Sequence, residues 1–141
     1  MFKKLLAVSA LALAASPVAA HAGQESYAEG QVWQYTTRAQ DKGSLLKIQK
    51  IDIEGGRRIY HVSVIGVHMG YRQEVSVLPH LPVSEETLDA SVTRQVHPGN
   101  AFSAISADAD IAEWRMVHGG VLTTSLVQAL DQVDTMLSPQ L

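Results

Sequence analysis

The sequence predicts an α+β domain, an antiparallel sheet of about four strands with two or three helices packed on one face. From residue 31 to 78 the chain alternates apolar and polar residues in short runs separated by polar or glycine turns, the period of half-buried strands. Beyond residue 83 helix caps and apolar residues at i, i+4 spacing take over. Strands grouped ahead of helices favour segregated layers over a doubly wound arrangement.

Residues 31–37 form the first predicted strand, with Trp33, Tyr35 and Thr37 on one face and Val32, Gln34 and Thr36 on the other. A polar loop ending in Gly43 leads to a second strand at 44–53. Its parity slips, since Leu46 and Ile48 alternate in one phase and Ile51 and Ile53 in the other; a bulge near Gln49-Lys50 would return all four to one face. Glu54-Gly55-Gly56-Arg57 is a turn, and residues 59–67 are a third strand carrying Tyr60, Val62 and Val64 on one side and Ile59, His61, Ser63 and Ile65 on the other. Residues 67–72 lack periodicity and are expected to be an exposed loop before a fourth strand at 74–78, with Pro79-His80-Leu81-Pro82 stopping the sheet.

Ser84 is a predicted N-cap, followed by Glu85 and Glu86 where the helix dipole favours negative charge. Leu88, Val92 and Val96 make the stripe of this helix, and His97-Pro98-Gly99 ends it. A small-residue loop carries Phe102 and Ile105. The second helix opens near Ser106, with Asp108 and Asp110 in its first turn and Ile111, Trp114 and Val117 facing inward; His118-Gly119-Gly120 caps its end. Residues 121–124 suit a short strand. Ser125-Leu126-Val127-Gln128 is a capping box that opens the last helix, whose stripe is Leu126, Ala129, Leu130, Val133 and Leu137. The expected core anchors are Trp33, Tyr35, Trp114, Leu126, Leu130 and Val133, with Trp33 and Tyr35 as an aromatic floor for the last helix.

The N-terminus predicts a compartment. Lys3-Lys4 precede an uncharged Leu/Ala run, Pro17 breaks it, and Ala20-His21-Ala22 offers a cleavage site, so residues 1–22 are expected to be a signal peptide cut after Ala22, leading to a bacterial periplasm. The run is well short of the roughly 20 residues that span a bilayer, so no membrane span is expected after cleavage. Residues 23–29 are polar and aperiodic, a flexible leader, and 30–141 form one domain. With no cysteine, stability must come from the apolar core.

Without Lys3 and Lys4, nine Lys and Arg face fourteen Asp and Glu. The imbalance is concentrated: beyond residue 78, Arg94 and Arg115 face Glu85, Glu86, Asp89, Asp108, Asp110, Glu113, Asp131 and Asp134. Such a half attracts a basic protein partner and repels nucleic acid, or else consists of the solvated faces of helices. The Arg57-Arg58 pair at a hairpin tip has neither an aromatic platform nor a basic surround for nucleic acid.

No motif specifies a reaction. Five histidines remain after residue 22, and no two are three to five apart. His68-Met69 with His80 would make a soft copper site if two loops converged. Asp108-Ala109-Asp110 lacks the further oxygens and glycine of a calcium loop. Glu85-Glu86, as helix neighbours, point apart. His118-Gly119-Gly120 has no G-x-S-x-G partner and suits a helix cap better than an oxyanion turn.

Three stretches carry a family resemblance: Glu29-Gly30-Gln31-Val32-Trp33-x-Tyr35-x-Thr37-Arg38, Leu81-Pro82-x-Ser84-x-Glu86-x-Leu88 with Ser91-Val92-Thr93, and Glu113-Trp114-Arg115 followed by Gly120-Val121-x-Thr123. Together they resemble a family of small, largely uncharacterised bacterial proteins, whose exported members are similar to periplasmic immunity proteins. The resemblance implies no catalytic residues, and His118-Gly119-Gly120 departs from the acidic and glycine turn expected there. Export, the absence of a catalytic constellation and the acidic second half together predict a periplasmic protein that binds and neutralises a protein partner, of immunity or inhibitor type, with a cationic cell-wall-acting effector as one target and no cofactor. The candidate contact residues are His68, Met69, Tyr71, Arg72, Phe102, Ile105, Asp108 and Asp110, from loops that mix aromatic and polar side chains. The alternatives are a small periplasmic metal-binding protein or enzyme using His68 and His80, and a structural envelope protein that self-associates through a sheet edge.

Overall fold

The computed structural model describes residues 27–137, so the expected signal peptide and the start of the leader lie outside the described residues. The fold is α+β, with five antiparallel strands and three helices. The strands are β1 (Val32–Tyr35), β2 (Leu45–Glu54), β3 (Arg57–Met69), β4 (Glu74–Ser84) and β5 (Val92–Val96), in the order β4-β3-β2-β1-β5. The helices are α1 (Glu85–Ser91), α2 (Asp108–Val117) and α3 (Leu126–Leu137).

Three bulges set which side chains face the core. The first lies in β2 between Ile48 and Lys50, where the parity slip places it; it keeps Ile51, opposite Tyr60, on the face of Leu46 and Ile48. Ile53 lies beyond the covering helices and is exposed. The second is Gly66 in β3, at φ 76°, a left-handed conformation that glycine adopts without steric cost. It shifts the phase by one residue, so that Val62 and Val64 before it and Val67 and Met69 after it all enter one core. The third is in β4, where three steps from Leu81 to Leu78 match two from Val62 to Val64, leaving Pro79-His80 as the irregular stretch.

The expectation that Pro79 to Pro82 stops the sheet is therefore corrected: β4 runs through both prolines. It is an edge strand, and the bulge takes up a residue that has no N–H to give. The expected loop at 67–72 likewise shortens to a turn, because Gly66 restores the alternation that carries β3 to Met69.

Ser84 caps α1 as expected, its hydroxyl accepting the Thr87 N–H at 3.2 Å. The helix ends at Ser91, not at Val96. Leu88, Val92 and Val96 are spaced for a helix, but Val92–Val96 is rich in β-branched residues and pairs with the free edge of β1. That pairing supplies the fifth strand.

Helices α1 and α3 cover one face, where Leu88, Leu126, Ala129 and Leu130 join Tyr35, Leu46, Ile48, Tyr60, Val62 and Val64. Ser125 caps α3 by accepting the Gln128 N–H at 3.3 Å, the first of the two bonds of the predicted capping box. Leu126 and Leu130 are buried and Val133 packs on the cluster, but Leu137 is exposed. Tyr27, in the expected flexible leader, is a core residue: its ring meets Trp33 and Tyr60 edge-on and its hydroxyl donates to Asp89 at 2.8 Å. Trp33 is half-buried at the margin of this core.

The other face is covered by α2 and the loop before it. Ile111 and Trp114 are the inward residues of α2, whereas Val117 is exposed, contrary to expectation. His118 takes the left-handed cap conformation at φ 53°, and the Gly119 N–H donates to the Trp114 carbonyl. Gly119 has a steric reason to be glycine, because a Cβ there would lie 2.3 Å from Trp114 Cδ1. Gly119→Ala is expected to cost about 1–3 kcal/mol in urea denaturation by displacing the indole. An unchanged midpoint would show that the ring can move freely.

Candidate functional site

Two buried polar clusters lie at opposite ends of the sheet. The first is built on Arg38, just after β1, whose side chain is 4% exposed. Its Nε donates to Asp41 at 2.6 Å, and Asp41 is fully buried in the short helical turn Ala39–Asp41. Its Nη1 reaches Asp131 and Asp134 on α3, and its Nη2 donates to the His68 carbonyl. Burial alone would lower the guanidinium's pKa, but hydrogen bonds to Asp41, Asp134 and Asp131 hold it above the ordinary arginine value. Asp41 also accepts the His68 N–H, and Asp134 accepts the Gly70 N–H. This cluster fastens the end of α3 to the β3–β4 turn, and its polar atoms are largely engaged.

The second cluster joins three strands and a helix. His61 in β3 is completely buried, between Asp52 of β2, His80 of β4 and Trp114 of α2. The β4 irregularity at Pro79-His80 brings the His80 ring beside it, with Nε2 2.8 Å from His61 Nδ1. His61 Nε2 is 3.2 Å from Asp52, and Asp52 receives two hydrogen bonds from Arg115 of α2, at 2.9 and 2.7 Å. The Trp114 ring meets the His61 ring edge-on at 4.8 Å.

Chemistry fixes the protons along this chain. An ionised carboxylate only accepts, so His61 donates from Nε2 to Asp52 and keeps a lone pair on Nδ1. His80 then donates from Nε2 to His61, leaving its own Nδ1 as a lone pair. Burial lowers the pKa of His61, with Asp52 opposing, and also lowers that of His80, where the neighbouring His61 acts in the same direction and Asp110 opposes. The Arg115 hydrogen bonds keep the Asp52 carboxyl below its ordinary value, against its partial burial. Both imidazoles are therefore neutral at neutral pH, beside a fixed carboxylate.

His80 opens onto a shallow depression of about 300 Å³ lined also by Asp110, Glu113, Trp114 and Val117. Of the sequence-predicted contact residues, Asp110 is exposed here with Glu113 and Val117, and Asp108 is exposed at the start of α2. Tyr71 and Arg72 are exposed at the far end of β3–β4, where they border a separate hollow with Leu137. His68 and Ile105 are half-buried. Met69 and Phe102 are corrected: at 5% and 2% exposure they are core residues and offer no contact surface. Met69 turns inward because of the Gly66 phase shift.

The pairing of His68 with His80 does not form. His68 lies across from Val75 and near Asp41, whereas His80 sits against His61, seven residues back along β3 and so roughly 20 Å away at strand rise. Among the described residues no three His, Cys, Asp or Glu side chains gather into a metal-holding group. From sequence, His61, the centre of the second cluster, is assigned only to the face of a strand opposite Tyr60, Val62 and Val64. The alternation gave its face, but the partner across β4 depended on a bulge that the prolines concealed.

Arg57 and Arg58 do lie at the β2–β3 hairpin tip, where Arg57 pairs with Glu86 at 3.8 Å with both exposed, a contact of small energetic weight. No helix among the described residues is long and apolar enough to cross a membrane. No family model, curated protein or solved structure matches the chain.

Proposed function

We propose that this chain is an exported periplasmic protein that binds and neutralises a basic protein partner, docking it on α2 and the depression beside it. The composition of α2 is the observation that supports this reading. Only Ile111 and Trp114 of its ten residues are buried. The rest of the helix exposes three acids, Asp108, Asp110 and Glu113, two apolar side chains, Met116 and Val117, at 75% and 64% exposure, and Arg115, whose guanidinium is tied to Asp52. Apolar contact area beside an excess of acidic charge is the arrangement of a protein-binding surface with a charge-matched partner. Most other acids of the second half are engaged within the fold: Asp89 with Tyr27, Asp131 and Asp134 with Arg38, and Glu86 with Arg57. A cationic enzyme that acts on the cell wall is the kind of target such a surface fits, and an immunity or inhibitor role follows from covering its cleft.

Binding to a panel of basic peptidoglycan hydrolases, with inhibition of their clearing activity, tests the proposal. Asp110→Lys combined with Glu113→Lys is expected to weaken binding roughly tenfold or more, with the loss largest at low salt. Binding that ignores both the charge reversal and salt, or no hydrolase bound, would overturn it.

A further inference from the structure

We propose that the Asp52–His61–His80 chain is a proton-operated clasp that holds α2 on the sheet at neutral pH and releases it in acid. Helix α2 meets the sheet at this cluster. Arg115 binds Asp52, Trp114 lies on His61, and Asp110 and Glu113 border His80. Beyond these, the buried side chain on α2 is Ile111.

The clasp accommodates one added proton and not two. In the neutral state His80 donates to His61 and His61 donates to Asp52. A first proton can sit on either ring and be shared across the 2.8 Å contact, with Asp52 as counter-charge. A second makes every ring nitrogen a donor. The nitrogen–nitrogen hydrogen bond is then lost, and two cations face each other around a fully buried ring. The surrounding charges do not cancel this. From β2, Asp52 is already bound to Arg115, Lys50 is cross-strand from His61, and Glu54 acts from the end of the strand. From α2, Asp110 and Glu113 stand at the solvent side of His80. Rotation of either ring or departure of α2 relieves the conflict, and the sheet, whose strands β2, β3 and β4 are joined by long hydrogen-bonded ladders, gives way less readily than the helix.

The direction of the pH dependence follows from the lowered pKa values. Well above pH 6.5, the ordinary histidine value, the rings are neutral whether α2 is docked or free, and the clasp holds. As pH falls through and below 6.5, a free His61 and His80 take up protons that the docked state resists, so the docked state loses ground until it too is protonated. Each proton taken up on release multiplies the opening constant by about tenfold per pH unit in that window.

Native-state hydrogen exchange, corrected for intrinsic rates and followed from pH 7.5 to 5, tests this on the protein without any partner, so it stands or falls separately from the binding proposal. Protection in α2 is expected to fall as the pH drops while β2 and β3 stay protected, and histidine ring ¹⁵N shifts should report His80 donating from Nε2 at pH 7.5. His80→Phe, which removes one titrating ring, should flatten the α2 response; His61→Phe is a second variant should the first not fold, and His97→Phe, at an exposed site, should leave the response intact. Constant α2 protection across the range, loss of α2 and sheet protection together, or an unaltered response in a folded His80 or His61 variant would overturn the proposal.

Discussion

Arg38→Met is expected to lower the unfolding free energy by about 3–5 kcal/mol, since it leaves a fully buried carboxylate at Asp41 without its counter-charge. It also loosens the end of α3, because the same guanidinium binds Asp131 and Asp134 across 93 and 96 residues of chain. In a domain of this size the corresponding fall in melting temperature is roughly 10–25 °C. Asp41→Leu added to Arg38→Met should recover part of the loss, because an apolar pair removes the unpaired charge as well as the bond. Urea denaturation of the single and double variants measures both effects. A single variant within 1 kcal/mol of the parent would mean that water reaches Asp41.

Trp114→Ala is the second large effect, about 3–5 kcal/mol, with a local signature. Trp114 is 7% exposed, touches His61, blocks the Cβ position of Gly119 and donates from Nε1 to the Gly120 carbonyl at 2.9 Å. Its loss leaves a cavity on the α2 face and no change on the α1 and α3 face, so exchange protection should collapse in α2 first. Trp33→Ala is the contrast. That ring is half-buried at the core margin, edge-on to Tyr27, and the expected cost falls to about 1–3 kcal/mol. If Trp33 proved the more costly of the two in urea denaturation, the assignment of anchors would be reversed.

Local chemistry made much of this fold legible in the sequence. The Gln49 bulge, the Ser84 and Ser125 caps and the burial of Leu126, Leu130, Tyr35 and Trp114 each rest on a rule that spans a few residues. The misreadings occur where a distant partner decides. Val92–Val96 satisfies helix spacing, and only the vacant edge of β1 makes it a strand. The two prolines of β4 stop a central strand but not an edge strand, and order within the sheet is not written locally. Met69 and Phe102 look like loop residues until Gly66 changes the phase of one and tertiary packing buries the other. The histidine cluster was the least legible, because it needs β2, β3, β4 and α2 to meet, and the spacing that signals a metal or catalytic motif is absent when ligands come from separate strands. By contrast, the acidic character of α2 follows from sequence alone, and its position beside the cluster required the fold.

The prolines of β4 bear on how copies of this chain meet one another. An outer strand is a template for pairing with a second chain, and its reach depends on how many uninterrupted hydrogen-bonding groups it offers. Here Leu122 occupies one end, accepting from Ser84 and donating to Pro82. Pro79 removes a donor farther along, and the irregularity beside it twists the ladder. What is left is the short run from Glu74 to Leu78, with a charge at its start. That blunted border hinders stacking edge to edge over more than half the strand's length.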